Sequence, residues 1–111
     1  MAKTKNGMFI KTQIESLRDG SLNGLDGAAY KTMVLIATHQ DKDGKCYPGQ
    51  QSLADILGIQ RKTVGDHIRK ILAYRTPNGE SIMISVKEKV GKNRYEGYTY
   101  TFLPASGLSF G

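Results

Sequence analysis

Two short apolar-periodic segments joined by one glycine turn constrain this chain more than any other feature. In Gln50–Leu57 the apolar residues Leu53, Ala54 and Leu57 fall on one helical side, and Gly58 ends the pattern with Ile59 tucked behind it. The pattern resumes within three residues. From Arg61 to about Tyr74, Val64, Ile68, Ile71 and Leu72 share one helical face, which leaves Arg61, Lys62, Gly65, Asp66 and Arg69 directed outward. Two short helices around a glycine turn read as a helix-turn-helix.

The flanking sequence supplies the rest of a domain. Asp26 is placed to cap a helix in which Tyr30, Met33, Val34 and Ala37 repeat at helical spacing, so this segment is expected to be the central buried helix. Asp41 to Gly44 read as a turn, and Lys45 to Tyr47 as a very short strand before Pro48 opens the motif. Downstream, Pro77 to Gly79 make a turn, and Ile82, Ile84 and Val86 alternate with Met83, Ser85 and Lys87 as a half-buried strand. Gly91 to Asn93 form a hairpin tip. The return strand puts Tyr98, Tyr100 and Phe102 on one face and Thr99 and Thr101 on the other, ending at Pro104. Upstream, Thr12 and Glu15 have capping-box spacing, Ile14 and Leu17 give an apolar side, and Gly20 can end a short helix before a polar break over Ser21 to Gly24. The order predicts an α+β winged helix-turn-helix: a three-helix core plus a C-terminal β-hairpin wing, with a short N-terminal helical extension. The boundaries are an extension over 1–24, the domain over 25–104 and a flexible tail or linker over 105–111.

Charge indicates the ligand class. Between Gln60 and Arg94 there are nine basic residues (Arg61, Lys62, Arg69, Lys70, Arg75, Lys87, Lys89, Lys92 and Arg94) against Asp66, Glu80 and Glu88, so this window carries +6, the whole net charge of the chain. A basic segment on a neutral body is the electrostatic footprint of a polyanion binder. At 111 residues the chain fits one domain with a modest core, and 39% hydrophobic residues place it in the ordinary globular class. Cys46 is alone, which excludes an internal disulfide, argues against a structural zinc site and suggests a reducing cytoplasmic compartment. The longest apolar run, Met33 to Ala37, is far short of the roughly 20 residues that span a bilayer. Asp41, Asp43 and Gly44 faintly echo a calcium loop, but the twelfth position from Asp41 is Ser52 rather than Glu. His39 and His67 are the only histidines, Cys46 has no evident catalytic partner and no paired carboxylates stand out, so no enzyme, cofactor, metal or small-molecule substrate is expected.

The run from Tyr47 to Val64, Tyr-Pro-Gly-Gln-Gln-Ser-Leu-Ala-Asp-Ile-Leu-Gly-Ile-Gln-Arg-Lys-Thr-Val, resembles winged helix-turn-helix domains of bacterial phage and plasmid proteins. Asp43-Gly44 and Tyr47-Pro48 match the Asp-Gly turn and the aromatic-Pro pair that precede the motif in that family, and the likeness covers about Asp26 to Pro104. Members include N-terminal domains of replication initiators, repressors, and accessory factors for plasmid transfer or partition, so the resemblance implies DNA binding without fixing the process. Two positions depart from the pattern: Gln60 stands where the family usually has a polar capping residue such as Ser, and Gly65 where it has a larger residue.

If the helix from Arg61 enters a major groove, its exposed N-terminal residues Gln60, Arg61, Lys62 and Thr63 are the ones that reach base edges. Arg pairs bidentately with guanine and Gln with adenine, whereas Lys62 suits a phosphate; the competing reading is a solvated charged face. Gly65 either allows close backbone approach or marks drift at an exposed site. Asp66 can accept from cytosine or repel phosphate, or simply pair with Lys62 or Lys70 one turn away. Arg69 and Lys70 extend the cationic face. Gln50, Gln51 and Ser52 open the first motif helix, whose free N–H groups favour a phosphate. On the hairpin, Lys87, Lys89, Lys92, Asn93 and Arg94 suit phosphate anchoring or, for Arg94, minor-groove insertion; ordinary solubilising charge is the alternative. Tyr95, Tyr98 and Tyr100 interleaved with cations could stack single-stranded bases, but alternation with Phe102 assigns Tyr98 and Tyr100 to the core.

The expectation is a cytoplasmic double-stranded-DNA-binding protein with no membrane partner, a plasmid or phage DNA-processing factor in replication, transfer or partition. A transcriptional regulator, a single-strand or RNA binder and a protein-interaction winged helix are the rivals. A homodimer, or an array on repeated sites, would enlarge the small footprint of one winged helix. Met8, Phe9, Ile10, Ile14 and Leu17 are candidates for the partner surface or for folding back on the same core. Ala105 to Gly111 could link to a second domain, which a replication initiator would need.

Overall fold

The computed structural model describes residues 2–3, 9–12, 24–41, 44–90 and 95–110. Within these the elements run β1 (Ala2–Lys3), β2 (Phe9–Thr12), α1 (Gly27–Ala37), α2 (Gln50–Leu57), α3 (Arg61–Ala73), β3 (Met83–Val90), β4 (Tyr95–Phe102), a 3-10 turn (Pro104–Ser106) and β5 (Leu108–Phe110). Three helices followed by an antiparallel hairpin make this a winged helix. The N-terminal helix expected within 12–20 and the hairpin tip at 91–93 fall on residues outside the described set. Thr12, expected as that helix's cap, is the last residue of β2.

Each boundary has a local cause. Asp26 holds extended backbone and its carboxylate accepts the Ala29 N–H at 2.8 Å, satisfying one of the donors exposed at the start of α1. Gly58 ends α2 in the left-handed region at φ 69°, and its N–H donates to the Ala54 carbonyl. Gln60 then turns the chain back into α3 through extended backbone. Between α3 and β3, Gly79 at φ 81° closes a turn in which its N–H donates to Thr76 O at 2.8 Å.

Ala29, Met33, Ile36 and Ala37 of α1, Leu53 and Ala54 of α2, and Val64, Ile68 and Ile71 of α3 form the core, sealed by Ile82, Met83 and Tyr100 from the hairpin. The buried face of α1 is rotated from the expected one. Met33 and Ala37 are buried, but Tyr30 and Val34 are half-buried and line, with Leu35, Ile56 and Leu57, an apolar groove of about 450 Å³. The inner positions go instead to the small Ala29 and to Thr32, where α1 packs against α3. Thr32 is fully buried and its hydroxyl lies 2.8 Å from His67 Nδ1 and 3.1 Å from the Ala28 carbonyl. Since the hydroxyl has one proton and the carbonyl can only accept, Thr32 donates to Ala28 and accepts from His67, which assigns the Nδ1–H form to the ring.

The hairpin also departs from its expected facing. In the β3–β4 register Met83 lies opposite Phe102, Ser85 opposite Tyr100 and Lys87 opposite Tyr98, while Ile84 and Val86 lie opposite Thr101 and Thr99. Met83 is 1% exposed, whereas Ile84 and Val86 are 45% and 51% exposed, so the inward set is the one expected outside. Ile82 is also buried, because it precedes the strand and is not bound by its alternation. Cys46 adds the brief third strand: its N–H donates to Tyr100 O at 2.9 Å, and the Tyr100 N–H donates back to Cys46 O at 2.7 Å. Burial drives the Cys46 thiol up to about 12, with Asp41 adding to the shift. Lys45 reaches Glu88 at 3.0 Å and ties this segment to β3.

Residues 105–110, expected as a flexible tail, carry the 3-10 turn and β5 instead. Leu108 is buried and β5 pairs antiparallel with β2, Lys11 opposite Ser109, in a sheet of order β1-β2-β5. Ser106 is fully buried and its hydroxyl accepts the Leu108 N–H at 3.2 Å. Small residues suggested looseness, but here they allow a tight turn between paired strands.

Candidate nucleic-acid interface

The outward face of α3 gathers residues that the sequence spaced one turn apart. Arg61, Lys62, Arg69 and Gln60 are exposed, and Thr63 and Asp66 are half-buried. Gln60 caps α3 with its backbone alone, making no side-chain cap hydrogen bond, so its amide is not spent on the helix end. Gly49 likewise starts α2 without a side-chain cap. The first-turn N–H groups at Gln50, Gln51 and Ser52 are thus left to water or to an anion. Gln51 and Ser52 are exposed, and the Gln51 amide donates to Asp55 at 2.9 Å.

Asp66 does not pair with Lys62 or Lys70, as its i±4 spacing suggested. It accepts from Arg69, three residues on, in a surface ion pair. Lys70 turns the other way and meets Asp26 at 3.1 Å, joining the end of α3 to the N-terminus of α1. The hydrogen bonds from Ala29 and Lys70 hold the Asp26 carboxyl below its ordinary range.

Gly65 is buried at the crossing of α2 and α3. A Cβ built there would stand 3.5 Å from Gln50 Oε1 and 3.6 Å from a terminal nitrogen of Arg69, ordinary contact distances. Burial pushes the Tyr100 hydroxyl up, and the Gln50 side chain within reach of it partly offsets that push. Gln50, read from sequence as a phosphate contact, thus lies in a junction linking α2, α3 and β4. This link was not legible in the sequence, since it brings the side chains of residues 50 and 100 together beside the bare backbone of Gly65.

On the wing, Lys87 is exposed on β3. The side chain of Lys89, and all of Lys92, Asn93 and Arg94, fall outside the described set. Tyr98, assigned to the core by alternation, is 52% exposed. Alternation fixes which face a residue takes, but not how far along the strand the helices continue to cover that face.

Residues 23–72 match the family model described as a helix-turn-helix domain. The chain carries a helix-turn-helix domain. The matched span takes in α1, the first motif helix, the turn at Gly58 and all but the last residue of α3. No curated protein and no solved structure matches the chain. Among the described residues no group of His, Cys, Asp and Glu is placed to hold a metal ion, and no helix is long and apolar enough to cross a membrane.

Proposed function

We propose that the chain binds double-stranded DNA, with the N-terminal half of α3 in the major groove and the wing along the flanking backbone. The observation that carries this reading is the exposed cationic face of α3, Arg61, Lys62 and Arg69, at the end of a glycine-turned helix pair and ahead of a basic hairpin. In this arrangement Gln60, Arg61, Lys62 and Thr63 reach base edges, while the first turn of α2, Arg69 and Lys87 hold phosphates. Gln50 and Lys70 tie separate elements of the protein together, so their contribution to DNA is secondary, whereas Arg69 shares its guanidinium, among the described residues, only with Asp66 on the same helix. Lys89, Lys92, Asn93 and Arg94 extend the cationic ribbon by sequence.

Within DNA binding, the resemblance of residues 47–64 to phage and plasmid proteins supports a DNA-processing role in replication, transfer or partition. A homodimer, or an array on repeated sites, supplies the contacts that one winged helix lacks.

The test is selection of bound duplexes from a random pool, with the Arg61→Ala, Lys62→Ala double variant in parallel. An enriched motif that the double variant loses supports base readout by α3. No enrichment with salt-sensitive binding intact leaves backbone binding alone, and no duplex binding refutes the proposal. With about five phosphate contacts and a slope of roughly −0.9 per phosphate, affinity should fall several-hundred-fold between 50 and 200 mM salt.

A further inference from the structure

We propose that Tyr98 is a DNA-contacting residue of the wing, its hydroxyl donating to a backbone phosphate in the angle between the hairpin and α3. The inference rests on the duplex-binding reading above and adds a neutral contact to a surface otherwise argued from charge.

The strand register places Tyr98. Met83 with Phe102, Ser85 with Tyr100 and Lys87 with Tyr98 are directly opposed pairs two residues apart, so all three occupy one face of the ribbon. At the first two pairs the helices cover that face: Met83 is 1% and Tyr100 3% exposed. By the third pair the ribbon has run past them, and Tyr98 and Lys87 are both exposed.

This same face leads into the recognition helix. The side chain of Gln50 lies within reach of the Tyr100 hydroxyl, and its Oε1 lies 3.5 Å from the position a Gly65 Cβ would take, with Arg69 at 3.6 Å from the same point. Tyr98 therefore stands two residues along β4 from Tyr100, outward from the junction of Gln50, Gly65 and Arg69. Its neighbour across the ribbon is a cation. A half-exposed tyrosine there offers a ring edge to a deoxyribose and an O–H to a phosphate oxygen, the two groups a DNA backbone presents side by side.

Because tyrosine is uncharged, its contribution should be separable from that of lysine. Replacing Lys87 removes a cation and lowers the number of counterions released on binding, whereas replacing Tyr98 does not. The measurement is affinity for a fluorescein-labelled mixed-sequence duplex across about 50 to 200 mM salt for the wild type, Tyr98→Phe, Tyr98→Ala and Lys87→Ala, each first shown to melt like the wild type. We expect Tyr98→Phe to weaken binding about tenfold, the loss of one hydrogen bond to a charged group, at an unchanged salt slope. Tyr98→Ala should lose at least as much, and Lys87→Ala should make the slope shallower by roughly 0.9.

Wild-type affinity in Tyr98→Phe, with loss confined to Tyr98→Ala, would overturn the proposal in favour of ring packing or base stacking. A preference for a single-stranded competitor that Tyr98→Ala abolishes would do the same. If the wild type itself binds no duplex, the duplex-binding reading fails and this one falls with it; duplex binding by the wild type beside an unaffected Tyr98→Phe refutes this inference alone.

Discussion

Gly65→Ala separates two roles for the glycine inside α3. Glycine in a helix interior costs about 1 kcal/mol relative to alanine, mostly because the unfolded chain loses more freedom on ordering. That cost can be recovered only if a methyl fits. The nearest atoms to the added Cβ, Gln50 Oε1 and an Arg69 terminal nitrogen, stand at 3.5 and 3.6 Å, so no neighbour has to move. Gly65→Ala should therefore stabilise the fold by about 1 kcal/mol, which for a domain near this size raises the melting temperature by roughly 4 °C. Urea denaturation should show a higher midpoint at unchanged slope. Duplex affinity should change little, because the methyl faces the side chains of Gln50 and Arg69 rather than open groove. Destabilisation would refute the packing argument. Higher stability with a tenfold or greater loss of affinity would refute the placement of Gly65 and show that α3 needs bare backbone against DNA.

Other outcomes follow from the same geometry. Thr32→Val keeps the shape but removes the partner of His67 Nδ1, leaving a buried donor unsatisfied, and should cost about 1–3 kcal/mol by denaturant unfolding. Cys46, fully buried with its thiol raised to about 12, should resist Ellman's reagent until the protein unfolds. Since its folded value exceeds its ordinary value of 9.0, the stability it contributes is whole below pH 9 and is lost as pH rises toward 12; Cys46→Ala should flatten that alkaline decline. At the acid end Asp26 and Glu88 are lowered, by Ala29 and Lys70 in one case and chiefly by Lys45 in the other. Their contribution is present above the ordinary carboxylate values of 3.8 and 4.5 and is lost as pH falls through the lower folded values, so the double variant Asp26→Asn, Glu88→Gln should unfold less steeply below about pH 4.

Much of the architecture is legible in the sequence. The span and turn of the two motif helices, the cap at Asp26 and the existence of the hairpin are all set by short-range chemistry: apolar spacing, a left-handed glycine and an acceptor beside free N–H groups. The same signals marked Arg61, Lys62, Gly65, Asp66 and Arg69 as outward; the three cations are exposed, but Gly65 is buried against α2 and Asp66 is half-buried.

Where the reading went astray, the deciding contacts were remote. The sequence offered Ile84 and Val86 as the inner face of the wing, a reasonable choice for the most apolar set. The register against β4 turned Met83 and Ser85 inward instead, since packing beneath Tyr100 and Phe102 outweighs hydrophobicity at single positions. The face of α1 shifted for a similar reason: Thr32 went inward because His67, a residue of α3, supplied its hydrogen bond. Residues 105–110 read as loose until β2, nearly a whole chain away, provided a strand to pair with. Local chemistry thus determined where the helices lie and which part of the chain is cationic. Only tertiary structure decided which strand face is wet, that Gln50 sits beside Gly65, and that Tyr98 lies past the cover of the helices, because each depends on how far one element extends over another.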